Sequence, residues 1–149
     1  MASQVILNVY DLSSNGASYY VGLGFYHTGV EVNQREFTFG QDGGFSHEPK
    51  AAPGAAQYRQ SILLGTTDLR YSQIESIAQD LAMEFRKRGY HIRKNNCNDY
   101  SKAFAEKLVG AQNLKFPGWI NRMAAIGNKL PFLMPDNSPS SPEPEQPAF

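Results

Sequence analysis

A single cysteine, Cys97, occurs among the 149 residues, so no disulfide can form within the chain. No apolar run reaches the roughly 18 residues of a membrane-spanning helix. The stretch Met1–Asn8 lacks the basic start and cleavage site of a signal peptide. Lys plus Arg number 14, as do Asp plus Glu, a balance that disfavours nucleic-acid binding. We therefore expect a cytoplasmic protein, with the nucleus as an alternative, that has no membrane span and no nucleic-acid partner.

Motifs for metals and cofactors are also missing. A zinc site needs about four closely spaced cysteine or histidine ligands, whereas this sequence offers Cys97 and three scattered histidines, His27, His47 and His91. No glycine-rich loop matches a dinucleotide or phosphate motif. We therefore expect neither a metal nor a cofactor.

The remaining composition is that of one domain with a tail. Hydrophobic residues make up 41% of the chain and charged residues 19%, which is typical of a globular protein. From Pro131 onward, prolines occur among serine, glutamate and glutamine residues. We predict a domain over residues 1–134 and a flexible tail over residues 135–149.

The first half of the chain predicts strands. Aliphatic and β-branched residues indicate four of them, over Gln4–Tyr10, Tyr26–Val32, Arg35–Phe39 and Gln60–Leu64. Asn33-Gln34 suits a tight turn between the second and third. Residues 40–58 are rich in glycine and proline and predict an irregular loop, in which His47 is solvated.

The second half predicts helices. Ser72 and Glu75 match a capping box, and Gly89 is a helix stop. The helix between them has an apolar face at the 3.6-residue period, made of Ile74, Ile77, Ala78, Leu81 and Phe85. A second helix starts near Asn96-Cys97 and has an inward face made of Cys97, Tyr100, Phe104 and Leu108. A short helix is predicted over Trp119–Ile126. Strands followed by helices favour an α+β fold.

Cys97 is the residue best placed for chemistry. It lies at the predicted N-terminus of a helix, where backbone amides and the helix dipole stabilise an anion. A thiolate is a strong nucleophile, and its pKa falls further beside a histidine cation. Cysteine is also frequently buried for packing alone. The position alone is compatible with either role.

A nucleophilic cysteine needs a base, and His27 is the candidate. It occupies a predicted strand directly after a glycine-containing segment that leaves room for a substrate backbone. His91 follows a helix stop beside basic residues that disfavour its protonation. A structural role for His27 is an equal alternative at this stage.

Six segments in this order resemble a known family, the PPPDE peptidases or desumoylating isopeptidases. They are Leu7–Asp11, Gly24–Val32, Arg35–Gly40, Leu64–Asp68, Asn95–Asn98 and Pro117–Arg122. The resemblance covers residues 4–134. It is nearer to the second of the two desumoylating types, because Trp119–Arg122 is followed by Pro131–Leu133.

The resemblance implies a papain-like thiol peptidase fold in circularly permuted order, with the catalytic histidine before the cysteine. The family's dyad residues fall on His27 and Cys97. The strand after His27 presents no obvious third residue to orient it, so we expect a dyad and not a triad. Tyr26 stands where some relatives have Trp or Phe.

The implied activity is hydrolysis of an isopeptide bond by a Cys97 thiolate paired with His27. The partners are then a ubiquitin-like modifier, SUMO or ubiquitin, and its conjugated target proteins. Amides at the helix start, with Asn96 or Asn98, are candidate oxyanion donors. Tyr26 and Trp119 are candidate cleft walls, and ordinary packing explains Trp119 equally well.

Two other functions stay open. The same dyad suits a thioesterase that removes acyl groups from protein cysteines. A binding module for a ubiquitin-like protein needs no catalysis at all. The sequence leaves the modifier, the targets and the oligomeric state open, and an apolar patch at Phe132–Met134 suits packing on the core or a homodimer contact.

Overall fold

The fold is α+β, as expected. The computed structural model describes residues 2–12, 26–40, 43–52, 56–89 and 96–121. Five antiparallel strands form a sheet in the order β4-β3-β2-β1-β5. Their bounds are Ser3–Leu12 (β1), Tyr26–Val32 (β2), Arg35–Gly40 (β3), Gly43–His47 (β4) and Ala56–Thr67 (β5). The helices are Tyr71–Arg88 (α1) and Cys97–Val109 (α2), followed by a 3₁₀-helix, Gly118–Asn121.

The tight turn between β2 and β3 is confirmed. Asn33 and Gln34 have φ values of 53° and 65°, the left-handed geometry that a two-residue hairpin turn requires. The turn sets the register of the hairpin, in which Glu31 lies opposite Glu36.

One face of the sheet packs on both helices. Alternate residues of the three central strands point to this face and are buried there, namely Val5, Leu7, Val9, Val30, Val32, Phe37 and Phe39. Tyr100 of α2 stacks on Phe39 with ring centroids 5.6 Å apart, and Phe104 meets Phe37 edge-on at 5.4 Å. The apolar faces predicted for α1 and α2 are therefore confirmed, with Ile77 only partly buried.

The loop predicted over residues 40–58 is wrong in part. The segment contains β4, which pairs with β3 from Gly40↔Gly43 to Glu36↔His47, and the first residues of β5. β5 also extends beyond the predicted Gln60–Leu64, because it pairs with β1 along almost the whole length of both strands. Strand pairing outweighs the local glycine signal here.

The start of α1 also differs from the prediction. Its N-cap is Arg70, whose backbone amide donates to Oε1 of Gln73 at 2.9 Å, so the capping box at Ser72 and Glu75 is wrong. The rings of Tyr71 and Phe37 are 6.5 Å apart, a contact that favours the earlier start.

Several predictions fall on residues outside the described ranges. The 3₁₀-helix covers the beginning of the predicted Trp119–Ile126 helix, and residues 122–126 lie outside. His91 and the predicted tail, residues 135–149, also lie outside. Within the described ranges, no helix is long and apolar enough to cross a membrane.

Candidate active site

Cys97 is the first residue of α2, as predicted. The side chain of Asn96 caps the helix, since its Oδ1 accepts the amides of Asn98 at 2.9 Å and Asp99 at 3.1 Å. Asp99 Oδ2 in turn accepts the amide of Asn96 at 3.0 Å. This reciprocal box uses the amides of Asn96, Asn98 and Asp99 and does not engage that of Cys97. An amide donor therefore lies beside the thiol.

The thiol is held against the edge of β2. Pairing between β2 and β3 covers Val30–Val32, and the first half of β2 meets the start of α2 instead. The backbone of Thr28 hydrogen-bonds Cys97 Sγ, and Tyr26 O accepts Nδ2 of Asn98 at 2.9 Å. The structure thus places the thiol against the residue that follows His27.

Asn98 joins the helix to the strand. Its Oδ1 accepts the Thr28 hydroxyl at 2.7 Å and faces Cys97 Sγ at 3.7 Å. Its two bonds to the strand flank His27, one on each side along the chain. Asn96 and Asn98 are both buried, the first as the helix cap and the second as this bridge. Their predicted role as oxyanion donors stays a prediction.

His27 lies on β2 directly opposite Tyr10 of β1. The two rings are 5.4 Å apart and tilted by 51°. Desolvation lowers the pKa of His27 to about 4, and the nearby His47 adds to this shift. His27 is therefore an uncharged imidazole at neutral pH, which is the form that can accept a proton.

Burial also shifts the pKa of the Cys97 thiol. Desolvation raises the pKa of Cys97 to about 12, although amides of Thr28, Cys97 and Asn98 oppose the shift. Asp99 raises the pKa further. The lowered pKa of His27 and the raised pKa of Cys97 together favour an uncharged thiol with an uncharged imidazole. The thiolate–imidazolium pair expected from the sequence is not the form that these surroundings stabilise.

The pH dependence of Cys97 alkylation tests this charge state. Because the thiol pKa is about 12, we expect the rate with iodoacetamide to rise about tenfold per pH unit from about pH 7 to 10, without a plateau. No other thiol competes, since the chain has one cysteine. The urea-unfolded chain is the control and should level off above about pH 8.5. A plateau already reached near pH 6 in the folded protein would show a stable thiolate instead.

Tyr26 and Trp119 lie together beside this site. Their ring centroids are 5.2 Å apart in an edge-on contact. The guanidinium of Arg59 on β5 lies 5.6 Å from the centre of the Tyr26 ring, in cation–π range. The contact between Tyr26 and Trp119 brings the 3₁₀-helix to the residue before His27. Their role as walls of a substrate cleft stays a prediction.

Glu36 and His47 are the residues that sequence reasoning missed. His47 lies on β4 with a side chain only 13% exposed, 3.7 Å from Oε2 of the fully buried Glu36, so its predicted place in a solvated loop is wrong. The register Glu36↔His47 brings the two side chains together. For Glu36, the signal available in the sequence was Gly29, because a glycine inside a strand marks a close approach by another group.

Metal ligands do not cluster in the part of the chain that the structure describes. No group of three or more histidine, cysteine, aspartate or glutamate side chains there could hold an ion.

A family model and curated relatives match the chain. The model described as "PPPDE putative peptidase domain" matches residues 3–137. A DeSI-like protein of Arabidopsis thaliana is 34% identical over 139 residues, which are 89% of this chain and 60% of that protein. A desumoylating isopeptidase 1 homolog of Caenorhabditis elegans is 34% identical over 138 residues, 87% of this chain and 40% of that protein.

The human protein named desumoylating isopeptidase 1 is 28% identical over 139 residues, 86% of this chain and 79% of its own. The chain thus spans about half the length of the plant and nematode relatives. The family resemblance found in the sequence is confirmed by these matches, and the assignment to the second type stays a prediction.

Proposed function

The chain belongs to the PPPDE peptidase family, and from this premise we propose that it is a cysteine isopeptidase. Its substrates are proteins in which a lysine side chain carries a ubiquitin-like modifier, SUMO or ubiquitin. Relatives named desumoylating isopeptidase favour SUMO. The observation that carries the proposal is the thiol of Cys97, at a helix N-terminus and hydrogen-bonded by the backbone next to His27.

We propose a papain-like arrangement in permuted order for this domain. The strand with His27 precedes the helix with Cys97 along the chain. The side chain of Asn98 ties the helix start to the strand on both sides of His27. This tie holds the strand on both sides of His27 at the start of the Cys97 helix, which supports a dyad of the two residues.

The reaction begins from the uncharged pair. His27 takes the proton of Cys97 Sγ while the sulfur attacks the carbonyl carbon of the modifier's C-terminal glycine. The amide of Cys97, which the capping box leaves out, donates to the oxyanion. His27 then gives the proton to the leaving lysine nitrogen, and the modifier remains as a thioester on Cys97.

Water completes the cycle. His27 accepts a proton from a water molecule that attacks the thioester carbon, and the proton passes to the departing sulfur. The thiol and the neutral imidazole are restored. The lowered pKa leaves the imidazole of His27 unprotonated, and so able to accept a proton, at any pH above about 4, but it also makes His27 a weaker base.

A panel of three substrates tests the proposal. SUMO and ubiquitin, each with a fluorogenic amide at the C-terminus, report isopeptidase activity, and a fluorogenic palmitoyl thioester reports thioesterase activity. We expect cleavage of a modifier amide, with Cys97→Ser as the blank. Cleavage of the acyl thioester alone would replace the proposal by a depalmitoylase. Binding of a modifier without any cleavage would replace it by a binding module.

A further inference from the structure

A buried carboxylate that the reaction does not use lies behind Tyr10. Glu36 of β3 is fully buried, and its Oε2 accepts the hydroxyl of Tyr10 at 2.7 Å. Its Oε1 accepts Nδ2 of Asn8 at 2.6 Å and the backbone amide of Lys50 at 2.8 Å. Burying a charge costs several kcal/mol unless hydrogen bonds satisfy it. Here three hydrogen bonds do so, two from β1 and one from the backbone of Lys50.

The sheet makes room for this carboxylate at Gly29. A Cβ at Gly29 would overlap Oε2 of Glu36, so only glycine fits beside the carboxylate at this point of β2. Gly29 lies two residues after His27, and side chains two apart in a strand share a face. Glu36 therefore lies under the face of β2 that carries His27.

Tyr10 connects Glu36 to His27. Its ring faces the imidazole at 5.4 Å, and its hydroxyl bonds both Glu36 and the backbone of Ala52. Burial and the Glu36 carboxylate raise the pKa of Tyr10, so the phenol keeps its proton and donates a hydrogen bond to Glu36. With both ends of the side chain held, the ring has one position against His27.

We propose that Tyr10 and Glu36 are positioning residues for His27, the ring of Tyr10 orienting the imidazole and Glu36 holding that ring in place. The inference rests on the proposed function, in which His27 is the general base. The orienting contact is the ring of Tyr10, which packs against the imidazole, and it is not a hydrogen bond to His27. Orientation matters because a base displaced by about 1 Å can lose a hundredfold in rate.

Other ionisable side chains border this pair. Nε2 of His47 in β4 lies 3.7 Å from Oε2 of Glu36. Oε1 of Glu31 in β2 also accepts a hydrogen bond from Nδ2 of Asn8 at 3.0 Å. Lys50 Nζ lies 3.8 Å from Oε1 of Glu31. Any change of charge at Glu36 therefore also alters its neighbours. Tyr10→Phe changes no charge and is the primary variant.

Tyr100→Phe is the matched control. Tyr100 is fully buried and donates its hydroxyl to the backbone oxygen of Ala78 at 2.8 Å, so this variant also removes one buried tyrosine hydroxyl. The experiment measures kcat and KM with the modifier amide that the wild type cleaves. It also records the ring signals of His27 by ¹H–¹⁵N NMR, assigned with His27→Ala.

We expect Tyr10→Phe to lower kcat by about tenfold with KM unchanged and to shift or broaden the His27 ring signals. Tyr100→Phe should leave both readouts at the wild-type values. An unchanged kcat in Tyr10→Phe, or an equal fall in both variants, would overturn the inference. If the wild type cleaves no substrate, the proposed function fails, and the His27 signals alone decide whether Tyr10 positions the ring.

Glu36→Gln separates hydrogen bonding from charge. Its amide group can still hydrogen-bond the Tyr10 hydroxyl, so we expect a kcat within about threefold of the wild type. Glu36→Leu removes the bond and should resemble Tyr10→Phe. A loss in Glu36→Gln as large as in Glu36→Leu would show that Glu36 acts through its charge and would overturn the positioning role.

Discussion

Cys97→Ser should lower kcat/KM for the modifier amide by at least about a thousandfold. The variant changes one atom, so the helix cap at Asn96 and the bond from Thr28 keep their partners. A serine hydroxyl is far less acidic than a thiol and is a poorer nucleophile for the same base. Single-turnover kinetics with the fluorogenic substrate measure the loss, and circular dichroism checks the fold.

His27→Ala provides the internal control for this result. Residues that act as one catalytic unit have effects that do not add. The double variant Cys97→Ser with His27→Ala should therefore be no slower than the slower single variant. Losses that multiply would show that the two residues act independently, and the dyad would be wrong. Full activity of Cys97→Ser would contradict cysteine catalysis altogether.

Asn98→Ala should destabilise the fold by about 2–4 kcal/mol and lower kcat/KM by about a hundredfold. Asn98 is 2% exposed, and its removal leaves Tyr26 O without the Nδ2 donor and the Thr28 hydroxyl with Ser101 Oγ as its remaining partner. Each lost hydrogen bond costs about 1 kcal/mol, and a group left without a partner costs about 1–3 kcal/mol. The activity falls as well, because the broken bonds are those that hold the His27 strand against the Cys97 helix.

Urea unfolding and steady-state kinetics measure the two effects of Asn98→Ala. Asn113→Ala is the matched control, since Asn113 is an exposed asparagine in the turn after α2 and should change stability by less than about 0.5 kcal/mol. Asn98→Asp keeps the acceptor for Thr28 but turns an oxygen toward Tyr26 O. It should therefore lose activity despite its similar shape. Wild-type kinetics in folded Asn98→Ala would show that the bridge does not position the dyad.

Local patterns in the sequence were sufficient for the elements that carry the site. The alternation in Tyr26–Val32 and the turn at Asn33-Gln34 predicted the hairpin. The 3.6-residue period and Asn96 predicted α2 with Cys97 at its start. These signals succeed because strands, turns and caps depend on neighbours within a few residues.

The surroundings of the thiol were not predictable in the same way. Helix-start amides and a nearby histidine argued for a thiolate, whereas burial raises the pKa of Cys97 to about 12. Burial of Cys97 results from the docking of α2 on β2, and partners 70 residues apart, such as Thr28 and Asn98, make that contact. A sequence window around Cys97 holds none of this information.

The sequence by itself determined the α+β order of elements, the family, and the two residues proposed for catalysis. Only the tertiary structure decided that Asn98 bridges helix and strand, that His47 lies on a strand, and that Glu36 is a buried carboxylate. The physical reason is desolvation. A polar side chain in a strand has the same local pattern whether water or another segment covers it, and its partners and pKa follow from which of the two does so.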